Sequence, residues 1–108
     1  MAWTSPEPPW PLPDEVVGLL SARMVLLGDD TRIRILDQLR EGERNVQSIA
    51  DALRTTQQNV SGHLRLLRAA GVVSRRPAGR EAYYATADPT VYGVWGLLLA
   101  AEGRRAHP

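Results

Sequence analysis

A chain of 108 residues with an apolar fraction of 44% is long enough for one domain with a modest core, and it has no room for a second. Cysteine is absent, which excludes disulfides, thiolate metal sites and thiol redox switches formed by this chain. The net charge of +1 is too small to indicate a nucleic-acid partner. Evidence for such a partner must come from where the 13 basic residues, all arginine, lie along the chain.

The N-terminal segment, residues 1–13, contains five prolines and is predicted to form an extended arm. Either Trp3 and Trp10 pack on a partner subunit, or the arm is a mobile tail. We find no secretory signal, no lipidation motif and no apolar run of about 18 residues, so we expect a cytoplasmic protein without membrane association.

Four helices are predicted in the next part of the chain from apolar residues at helical spacing. The first runs from Asp14 to Gly28, and the second runs from its N-cap Asp29 to Gly42. Asn45 can cap a third helix over 46–53, and Thr56 can cap a fourth that ends at Gly71. Because only a short turn separates the third and fourth helices, they form a helix-turn-helix motif.

After Gly71 the periodicity changes from helical to alternating. The segments VVSRR and REAYYAT flank a turn cluster of Pro77, Ala78 and Gly79, which predicts a β-hairpin. Asp88 and Pro89 are then a helix N-cap and first helical residue, which predicts a fifth helix. The predicted fold is mainly α with a small β-hairpin, a winged helix-turn-helix over residues 14–104, followed by a tail over 105–108 that frays.

The fourth helix is the candidate recognition helix. With Val60, Leu64 and Leu67 as its buried stripe, the residues about 100–200° away on a helical wheel are polar or basic: Gln58, Ser61, Gly62 and Arg65. Gln57 in the first turn also reaches the edge of this face. Amide and hydroxyl groups near a helix N-terminus can contact base edges in a major groove. The alternative is an ordinary solvated helix face.

Two further features bear on a DNA surface. The hairpin carries Arg75, Arg76 and Arg80, which can contact the phosphate backbone or a narrowed minor groove, unless it is a plain basic hairpin. His63 flanks the buried stripe of the fourth helix, and we expect it to be structural or to contact phosphate. Metal ligation is disfavoured because no second ligand stands at the right spacing in its helix.

The sequence resembles the ArsR/SmtB family of repressors over roughly residues 20–100. The most specific segments are LGDDTRIRIL (27–36), NVSGHLRLLRAAGVV (59–73) and GREAYY (79–84). The resemblance implies a homodimeric winged helix that binds an inverted repeat in double-stranded DNA, acts as a repressor and is released by a signal. It assigns DNA contacts to Gln57, Gln58, Ser61 and Gly62, and the full predicted DNA-binding set is Thr56, Gln57, Gln58, Ser61, Gly62, His63, Arg65, Arg75, Arg76 and Arg80.

The resemblance also implies that the first and last helices form the dimer interface. The predicted interface residues are Val16, Leu20, Met24, Val91, Val94, Trp95 and Leu98. Asp30 stands where the family usually has proline, and Arg54 stands where a turn glycine is common. Neither departure threatens the fold, and Arg54 can add a DNA-backbone contact.

The metal sites of the family are not retained in this sequence. Leu66 and Ala70 replace the cysteines of one cadmium and lead subgroup, and Asp88 alone remains of the zinc and nickel ligand set of the last helix. One carboxylate cannot hold zinc, so Asp88 is interpreted as a helix cap and neither metal nor cofactor is expected.

Three interpretations of function remain at this point. The preferred one is a DNA-binding repressor whose inducer, if any, is an organic ligand or a partner protein; Trp95, Val91 and Leu98 could line a pocket for it or could be interface core. The second is a winged helix used only for protein interaction. An enzyme is disfavoured, because no nucleophile with a neighbouring base, phosphate-binding glycine loop or carboxylate pair is present.

Overall fold

A computed structural model describes residues 7–106, with side chains through residue 105. The predicted role of Trp3 and the end of the predicted tail, residues 107–108, therefore lie outside the described residues. Within them the element order is α1 (Asp14–Leu27), α2 (Asp30–Leu39), β1 (Arg44–Asn45), α3 (Val46–Leu53), α4 (Gln57–Ala69), β2 (Val73–Ala78), β3 (Glu81–Thr86) and α5 (Thr90–Ala106). We call β2, β3 and the turn between them the wing.

The helix starts confirm the predicted caps. Asp29 accepts a hydrogen bond from the backbone N–H of Arg32 at 3.0 Å, and Asn45 accepts one from Ser48 at 2.8 Å. Thr56 accepts one from Asn59 at 3.0 Å. Each of these side chains satisfies a backbone donor that the first turn of its helix leaves free. The local sequence therefore sets where α2, α3 and α4 begin.

The β-structure differs from the prediction in two respects. The sheet has three antiparallel strands in the order β1-β3-β2, because Arg44 and Asn45 pair with Tyr84 and Tyr83. A two-residue strand has no alternation that a sequence pattern could reveal. The predicted turn cluster is also displaced: Pro77 and Ala78 belong to β2, and only Gly79, with φ of +64°, and the residue after it form the turn.

Pro77 fits within a strand because β2 lies at the edge of the sheet. Ala78 and Glu81 flank the two-residue turn and form a hydrogen-bonded pair, so the next pair, Pro77 and Ala82, is a non-hydrogen-bonded one. At such a position a residue donates no N–H to the neighbouring strand, so proline costs the sheet no hydrogen bond. A glycine with positive φ at the first turn position matches the turns that suit hairpins.

The helix ends also differ slightly from the prediction. α2 ends at Leu39, three residues before Gly42, and α5 begins at Thr90, one residue after Pro89. Asp88 still caps α5, since it accepts the backbone N–H of Thr90 at 3.0 Å. α5 continues through Ala106, two residues into the segment predicted as a tail.

One core holds the helix-turn-helix and the sheet together. It is built from aliphatic side chains, each at most 4% exposed, of α2, α3, α4, the first residue of β2 and the residue before it: Ile35, Leu36, Leu39, Ile49, Ala50, Val60, Leu64, Leu67, Val72 and Val73. The predicted buried stripe of α4 is confirmed, because Val60, Leu64 and Leu67 are each 0% exposed. This stripe fixes which face of α4 points outward.

The first and last helices are attached to this core only in part. α1 has no buried residue, although Leu26 and Leu27 in its last turn pack against the core. α5 is anchored near its start by Val91 and by Tyr92, whose hydroxyl donates to the carbonyl of Leu36 at 2.6 Å. No helix in residues 7–106 has the length and apolar character needed to cross a membrane.

Candidate nucleic-acid interface

The turn between α3 and α4 sets the direction of α4. Arg54 ends α3 in the left-handed conformation, with φ 55° and ψ 46°, and its N–H bonds back to the last turn of α3. Non-glycine residues adopt this conformation at a cost of about 1–2 kcal/mol. The side chain of Arg54 is exposed and makes no hydrogen bond or ion pair with the rest of residues 7–106.

The face of α4 opposite the core presents the polar groups that the helical wheel places there. Gln57, Gln58 and Arg65 are exposed, and Ser61 and Gly62 are half-buried. Neither Gln58 nor Arg65 has a partner among the described side chains. Their hydrogen-bonding groups are therefore available to a ligand outside the protomer.

A polar cleft of about 220 Å³ separates the N-terminal half of α4 from the wing. Gln57 and Ser61 line one side, and Arg80 and Glu81 of the wing line the other. Gln57 is held there because its amide donates a hydrogen bond to the side chain of Gln47 in α3. The cleft therefore brings two predicted helix contacts close to a predicted wing contact.

Gly62 stands on the exposed half of α4 with free space beside it. A Cβ placed on Gly62 meets nothing within 4 Å. The protomer itself therefore does not require glycine at this position, although glycine destabilises a helix by about 1 kcal/mol relative to alanine. Close approach by an external molecule is the remaining structural reason for it.

The three wing arginines point in different directions. Arg76 is opposite Tyr83 in the sheet and Arg75 is opposite Tyr84, so the two arginines lie on opposite faces. Arg80 is at the tip of the turn. Arg75 and Arg80 are exposed, and neither forms an ion pair or hydrogen bond within the described part of the chain.

Arg76 is engaged inside the protomer. Its Nε and Nη2 donate to the two carboxylate oxygens of Glu43 at 3.2 and 2.6 Å, and its guanidinium lies 5.0 Å from the centre of the Tyr83 ring. The hydrogen bond from Arg76 lowers the pKa of the Glu43 carboxyl, and Glu43 in turn raises the pKa of Arg76. Sequence reasoning missed Glu43, which stands 33 positions before Arg76.

His63 faces the interior of the protomer. Its side chain is 20% exposed, and its Nδ1 lies 3.2 Å from Nη1 of Arg32 at the start of α2. The prediction left a structural role and a phosphate contact open, and this contact favours the structural one. Arg32 was not among the predicted site residues, because a contact across 31 positions has no signal in the sequence.

The predicted interface residues divide into three groups by exposure. Leu20, Met24, Val94 and Leu98 are between 41% and 62% exposed, whereas Val16 and Trp95 are half-buried. Val91 is only 4% exposed and packs in the protomer's own core, so it has no surface left for a partner. The prediction also omitted two strongly exposed leucines of α5, Leu97 at 74% and Leu99 at 71%.

Residues 7–106 contain no group of three or more His, Cys, Asp or Glu side chains that could hold a metal ion. Asp88 is engaged as a helix cap, and the hydrogen bonds from the side chain and backbone of Thr90 lower the pKa of its carboxyl.

Comparison with known proteins places the chain among bacterial regulators. The sequence profile described as "Bacterial regulatory protein, arsR family" matches residues 29–75. The transcriptional repressor SmtB of Mycobacterium tuberculosis is 42% identical over 79% of this chain, and the match spans 61% of the length of SmtB. The transcriptional regulator NmtR of the same species is 34% identical over 78% of this chain and 70% of its own length.

A solved structure agrees with the fold. It is the homodimeric winged helix-turn-helix DNA-binding domain of a Mycobacterium bovis protein described as a possible ArsR-family transcriptional regulator. It superposes with a TM-score of 0.69 at 30% identity, over 90% of this chain and 93% of its own length. The winged helix-turn-helix prediction is confirmed, and these relatives are regulators and not enzymes. On this sequence and structural similarity, the chain belongs to the ArsR family of bacterial transcriptional regulators.

Proposed function

We propose that this chain is a sequence-specific DNA-binding repressor that binds an inverted-repeat operator as a homodimer. The observation that carries the proposal is the outward face of α4, where Gln58 and Arg65 have no partner within residues 7–106 and Gln57 and Ser61 border the wing cleft. Amides and hydroxyls read base edges, and arginines neutralise phosphates. The face therefore offers both kinds of contact on one surface.

Each predicted DNA contact except His63, which faces the interior of the protomer, has a place in this proposal. The base-reading residues are Gln57, Gln58 and Ser61, with Gly62 allowing close approach, and Thr56 at the helix N-terminus lies where a backbone N–H can meet a phosphate. Arg65, Arg75 and Arg80 supply positive charge. Arg76 contributes less than the other wing arginines because Glu43 already balances its charge.

The homodimer is proposed from the exposed apolar residues of α1 and α5. Nine large hydrophobic residues on these helices are at least 41% exposed: Val17, Leu19, Leu20, Met24, Val25, Val94, Leu97, Leu98 and Leu99. An isolated protomer in water would leave this apolar surface uncovered, and such surfaces mark protein interfaces. A second copy of residues 14–104 that buries α1 and α5 would also place two copies of α4 on one side, as an inverted repeat requires.

The release signal is proposed to be something other than a thiophilic metal. The chain has no cysteine, and its described residues offer no three-ligand cluster. The inducer, if the protein has one, is then an organic ligand or a partner protein. For a DNA-binding regulator with this sequence, the cytoplasm is the expected location.

The test is a fluorescence anisotropy titration of the full chain against the promoter upstream of its own operon. The expected result is tight binding to one inverted repeat, with an affinity that falls steeply as salt rises, and weak binding to a scrambled duplex of equal length. Binding that is absent, or equal for both duplexes, would contradict the proposal and favour a winged helix that binds only proteins.

A further inference from the structure

Arg32, at the start of α2, contacts both the interface helix α1 and the recognition helix α4. Its Nε donates to the carbonyl of Leu26 at 2.6 Å, and its Nη2 donates to the carbonyl of Val25 at 3.4 Å. Its Nη1 lies 3.2 Å from Nδ1 of His63 in α4. One half-buried guanidinium therefore joins three helices.

The contact with α1 stabilises the end of that helix. The carbonyls of Val25 and Leu26 belong to the last turn of α1, where the usual helical donors are missing. The carbonyl of Val25 also accepts the backbone N–H of the C-cap Gly28 at 3.3 Å, so the shorter bond to Leu26 is the main contribution of Arg32. A positive charge at a helix C-terminus is also favoured by the helix dipole. α1 has no basic residue of its own in this turn, so Arg32 supplies the charge from α2.

The contact with α4 fixes the chemical form of His63. A guanidinium can only donate hydrogen bonds, so Nδ1 of His63 must accept. In this contact the ring hydrogen of His63 is on Nε2. Oδ1 of Asp29 lies 3.9 Å from the same Nδ1, which is too far for a hydrogen bond, and it accepts from the backbone N–H of Arg32 instead.

Few other contacts hold α1 on the rest of the protomer. It contributes no buried residue, and only Leu26 and Leu27 pack against the core. Arg23 adds one hydrogen bond, from Nη1 to the carbonyl of Ala70 at the end of α4, at 3.1 Å. Among the described residues, the polar links between α1 and α4 thus pass through two arginines, and Arg32 makes most of the contacts.

We propose that Arg32 is a positioning residue that sets the orientation of the recognition helix relative to the interface helix, acting through His63. The inference rests on the proposed function, because α1 orients α4 in the DNA complex only if α1 lies in the dimer interface. A rigid link between the two helices fixes the distance between the two recognition helices. The dimer then accepts only one spacing between its DNA half-sites.

The first measurement does not need DNA. A long-range ¹⁵N–¹H NMR spectrum of the imidazoles is recorded for the full chain, which has only one histidine besides His63. The wild type is expected to show the Nε2–H tautomer at His63, and Arg32→Met is expected to show a mixture of tautomers. An Nδ1–H tautomer in the wild type, or a spectrum that Arg32→Met leaves unchanged, overturns the proposal.

The second measurement uses the inverted repeat identified in the promoter titration, with its spacer shortened or lengthened by one or two base pairs. We expect Arg32→Met to reduce the discrimination between the best and the altered spacers on the order of fivefold or more. Arg34→Met is the matched control, because Arg34 is exposed on the same helix and its side chain makes no hydrogen bond or ion pair with any other described residue. If Arg32→Met weakens binding to every spacer by one common factor, Arg32 has only a structural role and the proposal is wrong.

A pair of His63 variants keeps the test valid if Arg32→Met fails to fold. The side-chain oxygen of His63→Asn stands near the position of Nδ1 and can still accept from Arg32, whereas His63→Leu cannot. Spacer discrimination is expected to persist in His63→Asn and to decrease in His63→Leu. Equal discrimination in the two variants overturns the proposal. If the wild type binds no duplex specifically, the proposed function fails, and the NMR result still decides whether Arg32 fixes His63.

Discussion

Arg76 and Glu43 form an ion pair with two parallel hydrogen bonds between the wing and the loop before β1. The pair places a negative charge beside an arginine that, from the sequence alone, is a phosphate contact. A wing arginine paired in this way releases fewer counterions from DNA than an unpaired one. Glu43 therefore reduces the electrostatic contribution of the wing to the affinity for DNA.

Glu43→Gln is expected to strengthen DNA binding several-fold at low salt, because it leaves Arg76 unbalanced. The slope of log K against log salt should steepen by up to about one. Anisotropy titrations at four or five salt concentrations measure this slope. In the Glu43→Gln background, Arg76→Ala should return the slope to that of the wild type. An unchanged slope in Glu43→Gln would show that Arg76 does not approach phosphate.

Gln58→Ala is expected to relax base preference. Its amide is exposed and has no partner within residues 7–106, so it can make a bidentate contact with a base. Loss of such a contact costs about 1–3 kcal/mol of discrimination. Titration against single-base variants of the operator measures the change. Gln57→Ala is the comparison, and because Gln47 already holds Gln57, its effect on discrimination should be smaller. If Gln58→Ala weakens binding to all operator variants by the same factor, Gln58 contacts the DNA backbone and not a base.

The features that sequence reasoning predicted are those set by neighbouring residues. Asp29, Asn45 and Thr56 cap helices through backbone groups three residues away, and the stripe of α4 follows from helical periodicity. Most of the helix-turn-helix and the outward face of α4 could therefore be predicted. The expectation of a dimer came from the resemblance to a known family and not from a local pattern.

The features that were missed are set by residues far apart in the chain. The ion pair of Arg76 spans 33 positions and the contact of Arg32 with His63 spans 31. No local pattern selects such partners among 13 arginines. The left-handed conformation of Arg54 had a weak signal, because this position follows a short helix and the family commonly has glycine there.

Gly62→Ala is expected to raise stability while weakening DNA binding. The added methyl group meets nothing within 4 Å, so the helix gains about 1 kcal/mol from the replacement of glycine. Urea denaturation measures the gain and anisotropy measures the affinity. Gly103→Ala near the end of α5, where a Cβ also has free space, should leave operator affinity unchanged. If Gly62→Ala binds the operator with unaltered affinity, Gly62 does not lie against the DNA.

Asp29 is expected to make stability depend on pH in the acid range. The hydrogen bond from the backbone N–H of Arg32 lowers the pKa of its carboxyl, more than burial raises it. A folded-state pKa below the unfolded value, about 4, means that the contribution is present above that pH and is lost as pH falls through the folded value. Urea midpoints between about pH 7 and pH 2.5 measure the loss.

Two substitutions separate the charge of Asp29 from its capping bond. Asp29→Asn keeps an equally good cap without a titrating group, so the advantage of the wild type over this variant should shrink as the pH falls. Asp29→Ala should lose about 1 kcal/mol at neutral pH through loss of the cap. A difference between wild type and Asp29→Asn that stays constant with pH would mean that Asp29 titrates alike in the folded and unfolded chains.

Leu98→Glu is expected to convert the proposed dimer into monomers. Leu98 is 57% exposed on α5, and a carboxylate there would have to be buried without a partner in the interface. Sedimentation equilibrium measures the mass. Leu66→Glu on α4 is the matched control, because it makes the same change at a leucine that is 51% exposed and lies outside the proposed interface. Operator affinity of Leu98→Glu should fall steeply, since a monomer contacts only one half-site. A dimeric Leu98→Glu with wild-type affinity would mean that another surface joins the two copies.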